Sequence, residues 1–225
     1  MEFGYSTEKD QEAAKLLSTI IKKRKNLPSI LSKKINGKSV IVIGAGPSLV
    51  ENLSFIKKNP KFIKIVADAA VKPILDNKIK PDIVVTDLDG DKSSLLKASE
   101  NAIMVVHAHS DNIEQIKKLT PKFRYVIGST QVKPEEAVYN FGGFTDGDRC
   151  VFLAEEFLAN EIILVGMDFG KHIGIYSNTR DEDTETKISK LKVGKKLLQI
   201  LAKKSRSKLY DLSENPIPGF IHYFH

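Results

Sequence analysis

At 225 residues, 41% of them hydrophobic, the chain can bury one sizeable core plus a short extension but is small for two full domains. Its single cysteine, Cys150, excludes an internal disulfide and any metal site built from thiols. With no leader-like or membrane-length apolar run, the expectation is a cytoplasmic protein without a membrane partner. The formal net charge of +7 suits anionic ligands, but the lysines are scattered and not interleaved with aromatics on one stripe, so nucleic acid is not an expected partner.

A helix is expected over Thr7 to Lys25, where Ala14, Leu17, Ile20 and Ile21 share a face behind a capping Ser6-Thr7. Pro28 is expected to close it, making residues 1–38 an N-terminal helical arm. From Ser39 onward, short β-branched runs alternate with helical stretches. The runs are Val40 to Ile43, Ile63 to Ala67, Ile83 to Thr86, Ile103 to His107, Tyr125 to Ile127 and Ile162 to Val165. Helical patterns lie between them at Leu49 to Lys58, Val71 to Asn77, Lys92 to Ser99, Asn112 to Leu119 and Asp148 to Ala159. Such alternation specifies the α/β class: a Rossmann-like open, mostly parallel sheet with helices on both faces, forming one nucleotide-binding catalytic domain over 39–225. The stretch Ser177 to Thr186 is too charged for a core, so a mobile loop is expected at 171–187. A basic helix from Lys187 to Lys204 and a last strand near Leu209 to Leu212 follow. The apolar tail, Ile217 to Phe224, is expected to dock on the core or on another copy of the chain as a homo-oligomer.

In open α/β sheets ligands bind beyond the carboxyl ends of the strands, and here those positions are unusually polar. Gly44-Ala45-Gly46-Pro47-Ser48-Leu49 follows the first run, a glycine turn whose amides suit a phosphate. It departs from the dinucleotide fingerprint because Leu49 stands at the third glycine position and Pro47 has no donor, and a plain strand-to-helix turn is the alternative. Asp68 ends the second run, placed for a ribose or a metal. The third run leads into Asp87, Asp89 and Asp91, whose side chains fall on one side of an extended backbone; converging carboxylates repel unless a hard cation such as Mg²⁺ joins them, the alternative being a solvated turn or helix cap. His107 and His109 share a face after the fourth run, as ligand contacts or as hydrogen-bonded core. Thr145, Asp146 and Asp148 precede a helical stretch, as caps or as binding groups.

Taken in order, GAGPSL (44–49), ADAA (67–70), PDIVVTDLDGD (81–91), HAHSDN (107–112), GGFTDGDR (142–149) and GMDFG (166–170) resemble the archaeal 6-hydroxymethyl-7,8-dihydropterin pyrophosphokinase family, itself similar in its core to thiamin pyrophosphokinases. The resemblance covers about residues 40–200. It implies ATP as donor, AMP as product, and Mg²⁺ held by Asp87 and Asp89, which match the thiamin enzymes' paired aspartates, with Asp68 at a further matching acidic position. His107 and His109 stand where thiamin enzymes carry an Asp-rich motif, which points away from thiamin as acceptor. The mechanism this implies has Gly44, Ala45, Gly46 and Ser48 hold the triphosphate with Asp68 and with Lys187 or Lys190, while Asp91 or His109 accepts the proton of the acceptor hydroxyl. His107, His109, Asn112, Thr145, Asp146 and Asp148 are then the expected contacts to the small-molecule acceptor, a carboxylate being able to take two hydrogen bonds from a pterin's amino and ring N–H edge. A thiamin pyrophosphokinase-like enzyme, a nucleotide-sugar glycosyltransferase using an Asp-X-Asp pair, and a non-enzymatic nucleotide-binding module are the rival readings.

Overall fold

The computed structural model describes residues 6–23, 27–170, 174, 176–177 and 184–224. Nine parallel strands form one sheet: β1 (Ser39–Ile43), β2 (Ile63–Ala67), β3 (Ile83–Thr86), β4 (Ile103–Ala108), β5 (Val126–Thr130), β6 (Val138–Tyr139), β7 (Glu161–Val165), β8 (Lys208–Asp211) and β9 (Ile221–His222), in the order β6-β5-β4-β3-β2-β1-β7-β8-β9. The chain walks outward from β1 to β6, then returns to lay β7 against the other side of β1, so Val42 faces Ile65 in β2 and Leu164 in β7. The reversal between β1 and β7 is the topological switch point, where loops diverge and leave a crevice.

The strands are near-continuous Val/Ile runs because helices cover both faces. Alternation splits each run: Ile41 and Ile43 join one buried cluster with Val66, Val84 and Met104, while Val40 and Val42 join the other with Ile65, Val85 and Val105. Helices α3 (Leu53–Lys58), α4 (Val71–Asp76), α5 (Lys92–Ser99) and α6 (Ile113–Leu119) cover the first face; α7 (Asp146–Glu156) and α8 (Thr184–Ala202) cover the second.

The N-terminal segment is built into both layers. Helix α1 (Thr7–Ile21) buries Ala13, Ala14, Leu17 and Ile21 in the first cluster, and α2 (Leu27–Ile35) buries Leu31 and Ile35 in the second. Leu17 rests where a side chain on Gly128 of β5 would stand, and its full burial is worth about 2–3 kcal/mol. Pro28, expected to close the arm, instead occupies the first turn of α2, where its missing N–H costs no helical bond.

Three further expectations are adjusted. Strand β5 runs on to Thr130, beyond the Ile127 expected, because Gly128 and Ser129 carry no strand signal of their own. The tail seats Ile217 and Phe220 in the second cluster of its own chain, tethered by Asp211, whose carboxylate accepts the amides of Ser213 at 2.9 Å and Ile217 at 3.0 Å. Of the loop expected at 171–187, residues 184–187 are the first turn of α8; apart from Gly174, Tyr176 and Ser177, the rest lies outside the described residues. Among the described residues, no helix is long and apolar enough to cross a membrane.

Candidate active site

A cavity of about 740 Å³ opens along the carboxyl ends of the strands, from the loops after β1 and β7, past the ends of β2 and β3, to the ends of β4 and β5.

At the switch point the glycine turn and the loop after β7 lock together. Gly44 N donates to Val165 O at 2.9 Å, Gly46 N to Gly166 O at 2.8 Å, and Ser48 N to Asp168 Oδ2 at 3.1 Å. A Cβ on Gly44 would lie 2.5 Å from Gly166 O and 2.7 Å from the Met167 sulfur, so these glycines permit a backbone crossing. The expected cradle of open amides at Gly44, Gly46 and Ser48 is therefore corrected: those donors are spent inside the protein. Gly44, Ala45, Gly46 and Pro47 still line the cavity wall, opposite Lys187 and Lys190 of α8.

The acidic centre is shaped by a turn. Strand β3 ends at Thr86, and Leu88, fully buried, takes a left-handed φ of 71°. For a branched, bulky residue that backbone costs about 1–3 kcal/mol, which the burial of its side chain offsets. Thr86 Oγ1 accepts the Leu88 amide at 2.8 Å and donates to the Asp68 carboxylate, tying the ends of β2 and β3. This reversal brings Asp68, Asp87 and Asp89 together, their ligand oxygens all within 4.8 Å of one another.

Asp91 leaves the group. It is the N-cap of α5, accepting the Ser94 amide at 2.8 Å and the Ser93 hydroxyl at 2.7 Å, and it lies outside the cavity lining. Its expected role as proton acceptor is thus corrected, because the extended backbone that would align it with Asp87 and Asp89 stops at Thr86.

Three carboxylates at this spacing cannot all ionise in isolation. Burial, then the charges of Asp87 and Asp68, raise Asp89 to about 7. Burial, partly countered by the Thr86 hydroxyl, raises Asp68 to about 6. Burial also presses on Asp87, but hydrogen bonds from His109 and Asp89 outweigh it and hold Asp87 down at about 2. Asp68 Oδ1 is buried with no hydrogen-bond partner among the described residues. An all-oxygen trio with one buried oxygen unpartnered fits a hard divalent cation such as Mg²⁺.

The β4 end braces this centre. Asn112 is buried, donating from Nδ2 to Asp87 O and His107 O, both at 2.6 Å, and accepting the His109 amide at 3.1 Å. Its hydrogen bonds are committed to the backbone, so it staples β3 to β4 where a contact to substrate was expected. His107 is buried, with Nδ1 3.1 Å from Ser129 Oγ, and burial followed by the Arg149 charge keeps it neutral. His109 Nδ1 accepts the Asp111 amide at 3.3 Å, which leaves the proton on Nε2, 3.7 Å from Asp87 Oδ2. His109 therefore stands beside Asp87, and its Nδ1 lone pair is engaged by the Asp111 amide where a proton-accepting role was expected.

At the start of α7, Thr145 and Asp148 form a capping box. Asp148 is fully buried and accepts the amides of Phe144 at 2.5 Å and Thr145 at 2.9 Å together with the Thr145 hydroxyl. Its expected substrate contact is corrected to a cap. Thr145 and Asp146 do line the cavity, and burial, then the charges of Asp87, Asp68 and Asp89, push Asp146 well above the usual carboxylate range.

Several lining residues had drawn no expectation: Lys92, Gln115, Gln131, Arg149 and Asp168. Gln131 immediately follows the true end of β5 and was hidden by placing that end at Ile127. Arg149 stands one turn into α7, below Asp146, and its guanidinium reaches Gly142 O, Phe144 O and Gln131 Oε1 at 3.3–3.4 Å.

A parallel, doubly covered sheet with an acidic trio at the carboxyl ends of β2 and β3, along a cavity that reaches the switch point, defines the class: a Rossmann-like α/β protein with a polar small-molecule site. In agreement, the glycosyltransferase Maf from Magnetospirillum magneticum AMB-1 superposes with a TM-score of 0.56 at 15% identity over 99% of this chain, which spans 39% of that protein; the likeness is one of fold. Curated relatives go further. The proteins named 6-hydroxymethyl-7,8-dihydropterin pyrophosphokinase are 45% identical in Pyrococcus furiosus (94% of this chain, 93% of the relative) and 43% identical in Methanocaldococcus jannaschii (90% and 91%). A third, from Methanothermobacter thermautotrophicus, is 39% identical over 82% and 79%. The family described as 6-hydroxymethylpterin diphosphokinase MptE-like matches residues 11–174, and the chain belongs to it.

Proposed function

We propose that this chain transfers the terminal diphosphate of ATP to the hydroxymethyl oxygen of 6-hydroxymethyl-7,8-dihydropterin, in a cytoplasmic pterin-cofactor pathway. The observation that carries the reading is the convergence of Asp87 and Asp89, which line the cavity, with the buried Asp68, in a chain that shares its family and nearly its full length with pterin pyrophosphokinases.

Asp87 and Asp89, with Asp68 behind them, would hold Mg²⁺. When bound, the ion supplies neutralisation of the triphosphate charge. Lys187 and Lys190 border the same cavity and add positive charge from α8. The acceptor hydroxyl attacks the β-phosphorus, the bond from that phosphorus to the α,β-bridging oxygen breaks, and AMP leaves with the oxygen. Asp146, a cavity-lining carboxylate close enough to feel the charges of the acidic centre, takes the hydroxyl proton, since Asp91 and His109 are otherwise engaged. Little covalent chemistry is asked of the protein: positioning and charge neutralisation supply the rate.

The test is AMP release from ATP and Mg²⁺ with dihydropterin or thiamin as acceptor. Release that depends on the pterin and is abolished in Asp87→Ala or Asp89→Ala supports the assignment; pterin-independent release, thiamin-dependent release, or full activity in either variant refutes it.

A further inference from the structure

The cavity has two unlike ends. At the switch point it is walled by glycine-rich turns and faced by lysines; at the β4–β5 end it is lined by His107, Gln115, Gln131, Phe144 and Arg149, two carboxamides and an aromatic ring among them. Strand order puts the acidic centre on β2 and β3, about two strand spacings, roughly 10 Å, from β5. If phosphates meet the acidic centre, one end is left for the nucleoside and the other for the acceptor, and carboxamides with an aromatic face suit a flat heterocycle that presents alternating donors and acceptors.

Gln131 at that end is held from the N-terminal helix. Asp10 of α1 is 2% exposed; its Oδ2 accepts Gln131 Nε2 at 2.7 Å and its Oδ1 accepts the Ser110 amide at 2.8 Å. The neighbouring Gln11 reaches Lys133 O at 3.1 Å and Glu135 Oε1 at 2.7 Å, so two successive residues of α1 clamp the segment after β5. A carboxylate only accepts, so Asp10 forces the NH₂ of Gln131 toward itself and turns Oε1 toward Arg149 and the cavity. We infer that Asp10 is a positioning residue for the acceptor: by fixing the Gln131 amide, it presents a carbonyl to the ring N–H of the heterocycle's lactam edge. The inference rests on the proposed pterin transfer and assigns its acceptor subsite.

The test is a polarity swap. In Asp10→Asn, Oδ1 keeps the Ser110 amide while the new NH₂ opposes the Gln131 NH₂, so the Gln131 amide flips and shows the acceptor a donor. The KM for dihydropterin should rise about tenfold, with the KM for ATP and kcat within about twofold, the value of one mismatched hydrogen bond. The double variant Asp10→Asn/Gln131→Glu restores an accepting oxygen on both sides and should bring the pterin KM back to within about threefold of wild type. Equal rises in both KM values, an unchanged pterin KM in Asp10→Asn, or no rescue by the double variant would overturn the inference while leaving the transfer itself standing. A wild-type chain that binds and turns over no pterin overturns both.

Discussion

Asp68→Asn offers a stability test of the acidic centre that needs no turnover. Asp68 is 3% exposed, and burial lifts its carboxyl from 3.8 to about 6. Because the folded-state value lies above the unfolded one, the protonated group's contribution is fully present below about 3.8 and is lost as pH rises through about 6. Above that, ionised Asp68 burdens the metal-free fold by at most about 3 kcal/mol, at about 1.4 kcal/mol for each tenfold in proton affinity. Asparagine is isosteric and its Oδ1 can still accept the Thr86 hydroxyl, so the substitution removes the charge without opening a cavity. In EDTA at pH 8 the variant should therefore melt higher than wild type, by up to about 6–12 °C for a chain of this size, and about half of that gap should remain at pH 5. Adding Mg²⁺ should raise the wild-type midpoint by more than the variant's, which narrows the pH 8 gap. The readout is thermal unfolding followed by circular dichroism across pH, with and without the ion. A variant less stable than wild type in EDTA at pH 8, a gap independent of pH, or equal responses to Mg²⁺ would refute the reasoning.

Three other substitutions separate scaffold from chemistry. Gly44→Ala sets a methyl group against Gly166 O and the Met167 sulfur, so it should cost about 1–3 kcal/mol in urea unfolding and distort the switch-point wall; a neutral effect would show that the crossing has slack. Asp91→Ala removes the α5 cap and should cost about 1 kcal/mol, with kcat preserved within about twofold because the residue stands outside the cavity; a collapse in kcat would return it to the chemistry. Asn112→Ala strips the half-buried Asp87 carbonyl and the buried His107 carbonyl of the Nδ2 that reaches both at 2.6 Å. Two orphaned acceptors predict a loss of about 2–5 kcal/mol, and the freed Asp87 predicts a kcat at least about tenfold lower. Wild-type kcat in a folded Asn112→Ala protein would show that Asp87 needs no staple.

How far the sequence reached depends on the range of the forces involved. The strands and most helices were legible because they follow from periodicity: Val40 to Ile43 reads as a doubly buried strand from four residues alone. The acidic motif was legible in composition, yet its geometry was misjudged. Alternation of Asp87, Asp89 and Asp91 presumes an extended chain, whereas the left-handed Leu88 folds the first two toward Asp68 and releases the third to cap α5. That turn is set by Leu88 finding a buried seat, a tertiary effect without local signature. The glycine turn misled in the opposite direction: its amides resemble an anion cradle until β7, more than a hundred residues on, arrives to consume them. Asp10 shows the limit most sharply. On a surface-patterned helix it reads as one more solvated acid in the first turn, and only the docking of α1 across β5 turns it inward to Gln131 and Ser110. Residues that touch ligands sit at strand ends, where topology locates them. The residues that aim them are recruited from anywhere the sheet brings a partner, and for those the contact itself is the first signal.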